Sequence, residues 1–480
     1  MTGYPILSMS PLLSRLVFVL SGLTLAVAIF AGGSSQHAMT STALVELLSV
    51  PLLGVGFWLC LRNGPGRMIG PIAIFATGVA IGAAQLIPLP LSVWRALPGR
   101  AAVLASLTLA TAAPNFLPAS LDPGGTSRAL ASLLPGAAIF LGVGALGESH
   151  RRLLIWLLLG MGALSALVGI AQATGAIRSF YTVTNPGLAV GFFANRNHFA
   201  AVMYCLLPFA AALAVPRRGF AGQPRRWASG SVLGAGAMGA LFLLGLAACG
   251  SRAGLALGLV ALLGCGAIVL RARSEADRKG NWAPRIVVIA AIAALALLQF
   301  TRVGLLGNTR LGAVDEGRSA ITMTTLRAAQ AYTPLGTGLG AFVPIYAAAE
   351  PVGSLSSEYI NHAHDDWAEL WLEGGLPMAA VVGVFLSWLA LAAREVWKPA
   401  ASMAEISAAR AATIALGLLL VHSAVDYPLR TAAISVLFAL SCALLTPQGR
   451  ATARAPAQAG RRMRASHRGR EGLPGRESTA

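Results

Sequence analysis

The chain has 480 residues, 56% of them hydrophobic and only 11% charged, with a formal net charge of +18. A mean hydropathy of +0.70 is far too high for a soluble globular protein, so an all-α integral membrane protein is expected. The basic excess invites a nucleic-acid reading, which its distribution along the chain excludes.

Runs of about 20 apolar residues, long enough to cross a bilayer core as helix, recur along most of the sequence. Twelve fit, near 12–31, 42–61, 68–87, 129–147, 153–173, 197–215, 231–249, 253–270, 285–301, 377–396, 411–427 and 429–446. The seventh and eighth are short and parted only by "CGSRAG". Only Arg15 stands close to the first run and no A-x-A cleavage site follows it. It is therefore expected to be a retained helix and not a signal peptide. Residues 1–150 form an N-terminal group of spans, whose outer stretch 88–128 is rich in Pro and Ala. The five cysteines (Cys60, Cys205, Cys249, Cys265, Cys442) sit in or beside apolar runs and have neither disulfide nor zinc spacing.

With the N-terminus in the cytoplasm, the inside positions hold Arg15; Arg62 and Arg67; Arg151 and Arg152; Arg217, Arg218, Arg225 and Arg226; and "RARSEADRKG" with Arg285. They also hold Arg394, Lys398, Arg410 and eight arginines beyond 447, about 25 of the 36 basic residues in all. This is the positive-inside bias expected of short loops, so the charge reports topology and contact with anionic membrane lipids. No nucleic-acid partner is expected. The tail 447–480 has almost no large apolar residues and is expected to be a disordered, cytoplasmic extension.

One extramembrane segment then dominates: residues 302–376, a large periplasmic loop carrying short helices and eight of the 18 acidic residues. Loops of that length in a compact chain are functional or disordered, and its aromatic content and helical periodicity favour order. Within it, "NHAHDDWAEL" (361–370) packs two histidines and three carboxylates into ten residues. Asp366 as N-cap and Glu369 three residues on would make a capping box. Gly374 and Gly375 stop that helix, and Pro377 suits the first turn of the next span. Trp367 and Trp371 read as interfacial anchors. His362 and His364 fall in the loop just before the helix. Three readings fit them: a plain polar loop, a metal site built on His362, His364 and Asp366, or acid–base catalysis, for which histidine is suited near neutral pH.

Four further stretches narrow the choice. "GFFANRNHFAAVM" (191–203), "CGSRAGLALG" (249–258), "EGRSAITMTTLRAAQAYTPLGTGLGAF" (316–342) and "HSAVDYPLRTAAISVLFAL" (422–440) accompany "NHAHDDWAELWLEGGLPMAA" (361–380). In order and position the five resemble the O-antigen ligase and Wzy polymerase superfamily over residues 151–446. The resemblance implies a periplasmic-facing, metal-independent, inverting glycosyltransferase that needs no cofactor. Its donor would be an undecaprenyl-diphosphate-linked glycan and its acceptor the lipid A core, another glycan or a protein. Carried over by motif, the catalytic histidine falls on His364 and the donor-binding arginines on Arg252 and Arg318. The chain departs from the family pattern at Asp365, where Asn is usual, at Arg196, where Pro is common, and at Trp367.

The chemistry of these residues suits that role. A guanidinium fork matches phosphate oxygens, and an arginine between two apolar runs, as Arg252 is, marks function by default. A histidine base would take the acceptor proton while the arginines stabilise the departing diphosphate. Supporting or acceptor-side positions are Asn195, Asn197, His198, His362, Asp365, Glu369, His422 and Asp426. His422, Asp426 and Arg430 are expected on one helix face at i, i+4 and i+8. "GTGLG" (336–340) reads as a flexible turn or a phosphate cradle. The rival readings are a transporter or flippase, a protein O-oligosaccharyltransferase and a metal-dependent hydrolase.

Overall fold

A computed structural model describes residues 9–34, 40–110, 114–215, 229–274, 311–355, 359–398 and 403–446. The predicted span 285–301, the arginines at 217–226 and the tail from 447 lie outside the described residues. The helices are α1 (Pro11–Ala31), α2 (Thr40–Asn63), α3 (Ile69–Ala84), α4 (Leu91–Trp94), α5 (Arg100–Ala110), α6 (Pro123–Ala131), α7 (Leu134–Ala145) and α8 (Glu148–Ala173). There follow α9 (Arg196–Ala214), α10 (Ser229–Cys249), α11 (Arg252–Ser274), α12 (Leu311–Tyr332), α13 (Phe342–Ala349), α14 (Asp366–Val396), α15 (Met403–His422) and α16 (Ala432–Leu444). Among the described residues, nine helical segments are long and apolar enough to cross a membrane, and they coincide with the first eight predicted spans and the tenth. The chain is an all-α membrane protein.

The last two predicted spans correspond to α15 and α16, which are shorter apolar helices. At about 1.5 Å per residue the 13 residues of α16 reach only about 20 Å, less than a bilayer core. The chain leaves helix between them, at Ser423–Thr431, and this irregular segment is largely buried in protein.

α9 is the axis of the bundle. Helices α8, α10, α11 and α15 pack around it, and nearly every residue from Asn197 to Leu213 is buried. A helix buried on all sides must be apolar on all sides, and α9 confines its charged and strongly polar groups to its first turn. The two ends of the bundle differ. At one end Arg151, buried at the start of α8, bonds the carbonyls of Val143, Gly144, Leu146 and Thr446. Arg271 bonds the Trp397 carbonyl, and Arg410 reaches the Val396 carbonyl with its guanidinium 5.5 Å from the Trp397 ring. The opposite end gathers the starts of α9, α11 and α14 with the end of α15.

An ordered cap covers that second end. Strands β1 (Pro88–Pro90) and β2 (Phe116–Pro118) pair antiparallel, and Arg100 lies between the rings of Trp94 and Tyr332. A separate apolar cluster, including Phe342, Ile345, Tyr346, Ala363 and Leu372, holds α12, α13 and the start of α14 together. The glycine-rich turn is neither a loose loop nor a phosphate cradle. Thr337 and Gly338 donate to the carbonyls of Leu372 and Glu373, Leu339 donates to Gln85, and Phe342 donates to Glu373. Gly375 interrupts α14 at φ 54°, where a Cβ would overlap the Pro334 carbonyl oxygen, so only glycine fits.

Candidate functional site

The histidine cluster lies where α14 begins, and its local chemistry differs from the expected capping box. Asp365, not Asp366, is the N-cap: its carboxylate accepts from the backbone N–H of Trp367 at 2.9 Å and Ala368 at 3.0 Å. Half-burial raises the Asp365 pKa while these two bonds pull against the rise. Asp366 is released from capping and turns inward, accepting from the Ser423 hydroxyl at 2.8 Å and Leu429 N–H at 3.3 Å. Trp367 and Trp371 are half-buried: Trp367 donates to the Leu420 carbonyl and Trp371 packs on the cap cluster. Both pack on protein.

The inward face of α14 then forms a buried ion cluster. Arg430 lies 3.5 Å from Asp366, 3.3 Å from Glu369 and 3.0 Å from Glu373. Burial disfavours its charge, but Glu369, Glu373 and Asp366 together hold the guanidinium well above the ordinary arginine range. Glu369 also bonds His362 Nδ1 at 2.9 Å and the N–H of Ala363 at 2.9 Å. His362 thus belongs to the scaffold under the loop, 1% exposed.

His364 has a different partner and a different exposure. Its Nδ1 lies 3.2 Å from Asp426 Oδ1, with the His364 side chain 21% exposed and Asp426 fully buried. Asp426 further accepts from Tyr427 N–H at 3.0 Å and from Asn197 Nδ2 at 2.5 Å. Asn197 in turn accepts from the Ser251 hydroxyl at 2.8 Å. Burial opposes the Asp426 charge, yet the His364 bond and the neighbouring His198, His364 and His422 hold its carboxyl well below the usual range. An ionised carboxylate only accepts, so it selects the neutral imidazole tautomer that carries its proton on Nδ1 and its lone pair on Nε2. His364 also adopts φ 54°, a left-handed conformation uncommon outside glycine and typical of functional positions.

The expected helix face of His422, Asp426 and Arg430 does not form. α15 ends at His422, and the backbone that follows turns so that the carbonyls of Ser423 and Asp426 receive the N–H of Asp366. Asp426 and Arg430 consequently serve separate networks. His422 bonds the Tyr204 hydroxyl at 2.7 Å. His198 is fully buried, with both ring nitrogens unpartnered among the described residues, and its ring meets Tyr427 edge-on at 4.9 Å. Tyr427 also touches the rings of His362 at 4.4 Å and His364 at 5.0 Å. Sequence reasoning missed this tyrosine and Ser251. Their only signal was adjacency to Asp426 and Arg252 in "DYP" and "GSR".

The arginines converge on the same end. Arg252 opens α11 and is exposed. Arg318 lies on α12, one turn before Thr322, which bonds the Ala363 carbonyl at 3.2 Å beside His364. Asn195 caps α9 by accepting from Asn197 N–H at 2.8 Å. The H-x-H-x-D residues point to three different partners: Glu369 for His362, Asp426 for His364, Ser423 for Asp366. Among the described residues no three His, Cys, Asp or Glu side chains converge as a ligand set. The arrangement can deprotonate a hydroxyl and hold an oxyanion.

Residues 237–383, from α10 through the Gly375 break into α14, match the model of the O-antigen ligase family, Wzy_C. No curated protein matches the chain.

Proposed function

Taking the O-antigen ligase domain of residues 237–383 as premise, we propose that the protein transfers a glycan from an undecaprenyl-diphosphate-linked donor to an acceptor hydroxyl at the periplasmic face of a bacterial inner membrane. The observation that carries this reading is the partly exposed His364 held through Nδ1 by the buried Asp426, at the end of the bundle where Arg252 opens α11 and Arg318 lies on α12. The acceptor O–H gives its proton to His364 Nε2 as its oxygen attacks the anomeric carbon. The bond from that carbon to the diphosphate oxygen breaks in the same displacement, which inverts the anomeric centre. Arg252 and Arg318 stabilise the negative charge on the leaving diphosphate. The cations in this scheme are guanidinium groups, so it draws on no metal ion. Asp426 keeps the imidazole in the productive tautomer and stabilises the imidazolium, as an orienting carboxylate does in a triad.

The sided charge supports the orientation. Arg62, Arg67, Arg151, Arg271, Arg394 and Arg410 occupy the bundle end remote from His364, and basic ends face the cytoplasm. The charged chemistry crowds one end of the helices, whereas transporters set their binding groups near the midplane on broken helices. Deletion of the gene followed by surface-glycan analysis tests the reading. Accumulated lipid-linked polymer identifies a ligase, single repeat units a polymerase, and lost protein glycans an oligosaccharyltransferase. Unchanged glycans in all three pools would refute it.

A further inference from the structure

Ser251 stands at the turn between α10 and α11 and caps the second of these helices. Its carbonyl accepts from the Leu255 N–H at 2.9 Å, and its Oγ accepts from the Gly254 N–H at 3.0 Å, the two bonds of a helix N-cap. The one proton of the hydroxyl goes elsewhere, to Asn197 Oδ1 at 2.8 Å. Asn197 Nδ2 donates to Asp426 Oδ2 at 2.5 Å, and Asp426 Oδ1 lies 3.2 Å from His364 Nδ1. Ser251, Asn197 and Asp426 are all buried.

The direction of every bond in this chain is fixed. An ionised carboxylate only accepts, so Asn197 turns its Nδ2 toward Asp426 and its Oδ1 toward Ser251, which must then donate. The Ser251 oxygen keeps lone pairs for the Gly254 N–H. Without the hydroxyl, Asn197 Oδ1 becomes a buried acceptor with no donor, and the amide loses the contact that sets its rotation. The backbone leaves little slack to compensate: a Cβ on Gly254 would lie 2.5 Å from the Ala200 Cβ, so α9 and α11 touch at their first turns. Arg252 follows Ser251 directly in the chain.

We infer that Ser251 is a positioning residue, which orients Asp426 through Asn197 and so holds His364 in one frame with the first turn of α11. This rests on the transferase reading above and gives a role to a residue which that reading leaves out.

Two measurements test it. Turnover is followed as release of undecaprenyl diphosphate in membranes of a strain lacking the gene, which hold donor and acceptor as the cell makes them, after each variant is expressed there. Donor-site integrity is followed as binding of farnesyl diphosphate to the purified full-length chain. Ser251→Ala should slow release about tenfold, the loss of one buried hydrogen bond, with farnesyl diphosphate affinity within about threefold of wild type. Asn197→Leu, which breaks the chain but leaves the Ser251 cap on Gly254, should behave alike, and it carries the comparison should Ser251→Ala aggregate in gel filtration. In an Asp426→Asn background, Ser251→Ala should cost less than about a further twofold, because both changes act through one carboxylate. Release at the wild-type rate by a folded Ser251→Ala would overturn the inference, as would a full tenfold further loss in the Asp426→Asn background. Farnesyl diphosphate affinity that falls as far as turnover would also overturn it, and would make Ser251 a helix cap alone. Wild-type protein that releases no undecaprenyl diphosphate would sink the transferase reading first, and this inference with it.

Discussion

At the residue scale the division of labour between the two histidines is the sharpest consequence. His364 is partly exposed and paired with Asp426, whereas His362 is sealed against Glu369. His364→Ala should lower turnover roughly 10² to 10⁴-fold while farnesyl diphosphate binding stays near wild type. Kinetics and binding measured on one preparation separate the two effects, and an equal collapse of binding would make the histidine a binding group. Asp426→Asn should cut turnover comparably by releasing the tautomer. Because the Asp426 carboxyl is held well below its usual range, its charge contributes folding stability above about pH 4, its unfolded value, and loses that contribution as pH falls through the lower folded value. Thermal unfolding in detergent should therefore show a stability gap between wild type and Asp426→Asn at pH 7 that narrows below about pH 4. A gap constant down to pH 3 would contradict the assignment.

At the element scale, the segment from α14 to the start of α16 was only half legible in sequence. The break at Gly375 was readable from "GGLP" because glycine and proline act locally. The cap is misplaced by one residue, since Asp365 and Asp366 are chemically alike and only partners distant in sequence, Ser423, Leu429 and Arg430, claim the second. The end of α15 was hidden for the same reason: "HSAVDYPLR" continues an apolar period, and the carbonyls that leave it bond Asp366. Two substitutions probe this junction. Gly375→Ala should destabilise by about 1–3 kcal/mol or more, from the left-handed φ and the Pro334 carbonyl against which a methyl would press. Arg430→Met should be worse, about 3–5 kcal/mol, because it strands Asp366, Glu369 and Glu373 in a buried cluster. Monodisperse recovery in fluorescence-detected gel filtration reports both, and wild-type recovery of Arg430→Met would show that the cluster is not a structural element.

At the scale of the whole molecule, the helical membrane architecture was the most legible property, because bilayer thickness fixes the length of an apolar run. The proposed catalytic assembly was less so: it joins the starts of α9, α11 and α14 to the turn after α15, contacts with no local periodicity. Sidedness is open to direct measurement at Val352, 85% exposed in the cap. A cysteine placed there should react with a membrane-impermeant thiol reagent added from the periplasmic side alone. Labelling from the cytoplasm alone would invert the topology.

The central claim is that the molecule breaks a glycosyl diphosphate bond and is not a carrier of the intact lipid. Purified protein in proteoliposomes loaded with undecaprenyl-diphosphate-linked glycan and acceptor decides it. Wild type should release free undecaprenyl diphosphate in step with glycan-bearing acceptor, and His364→Ala should release almost none. Donor that crosses the bilayer with its glycan still attached, at equal rates in both proteins, would contradict the assignment and make the chain a transporter.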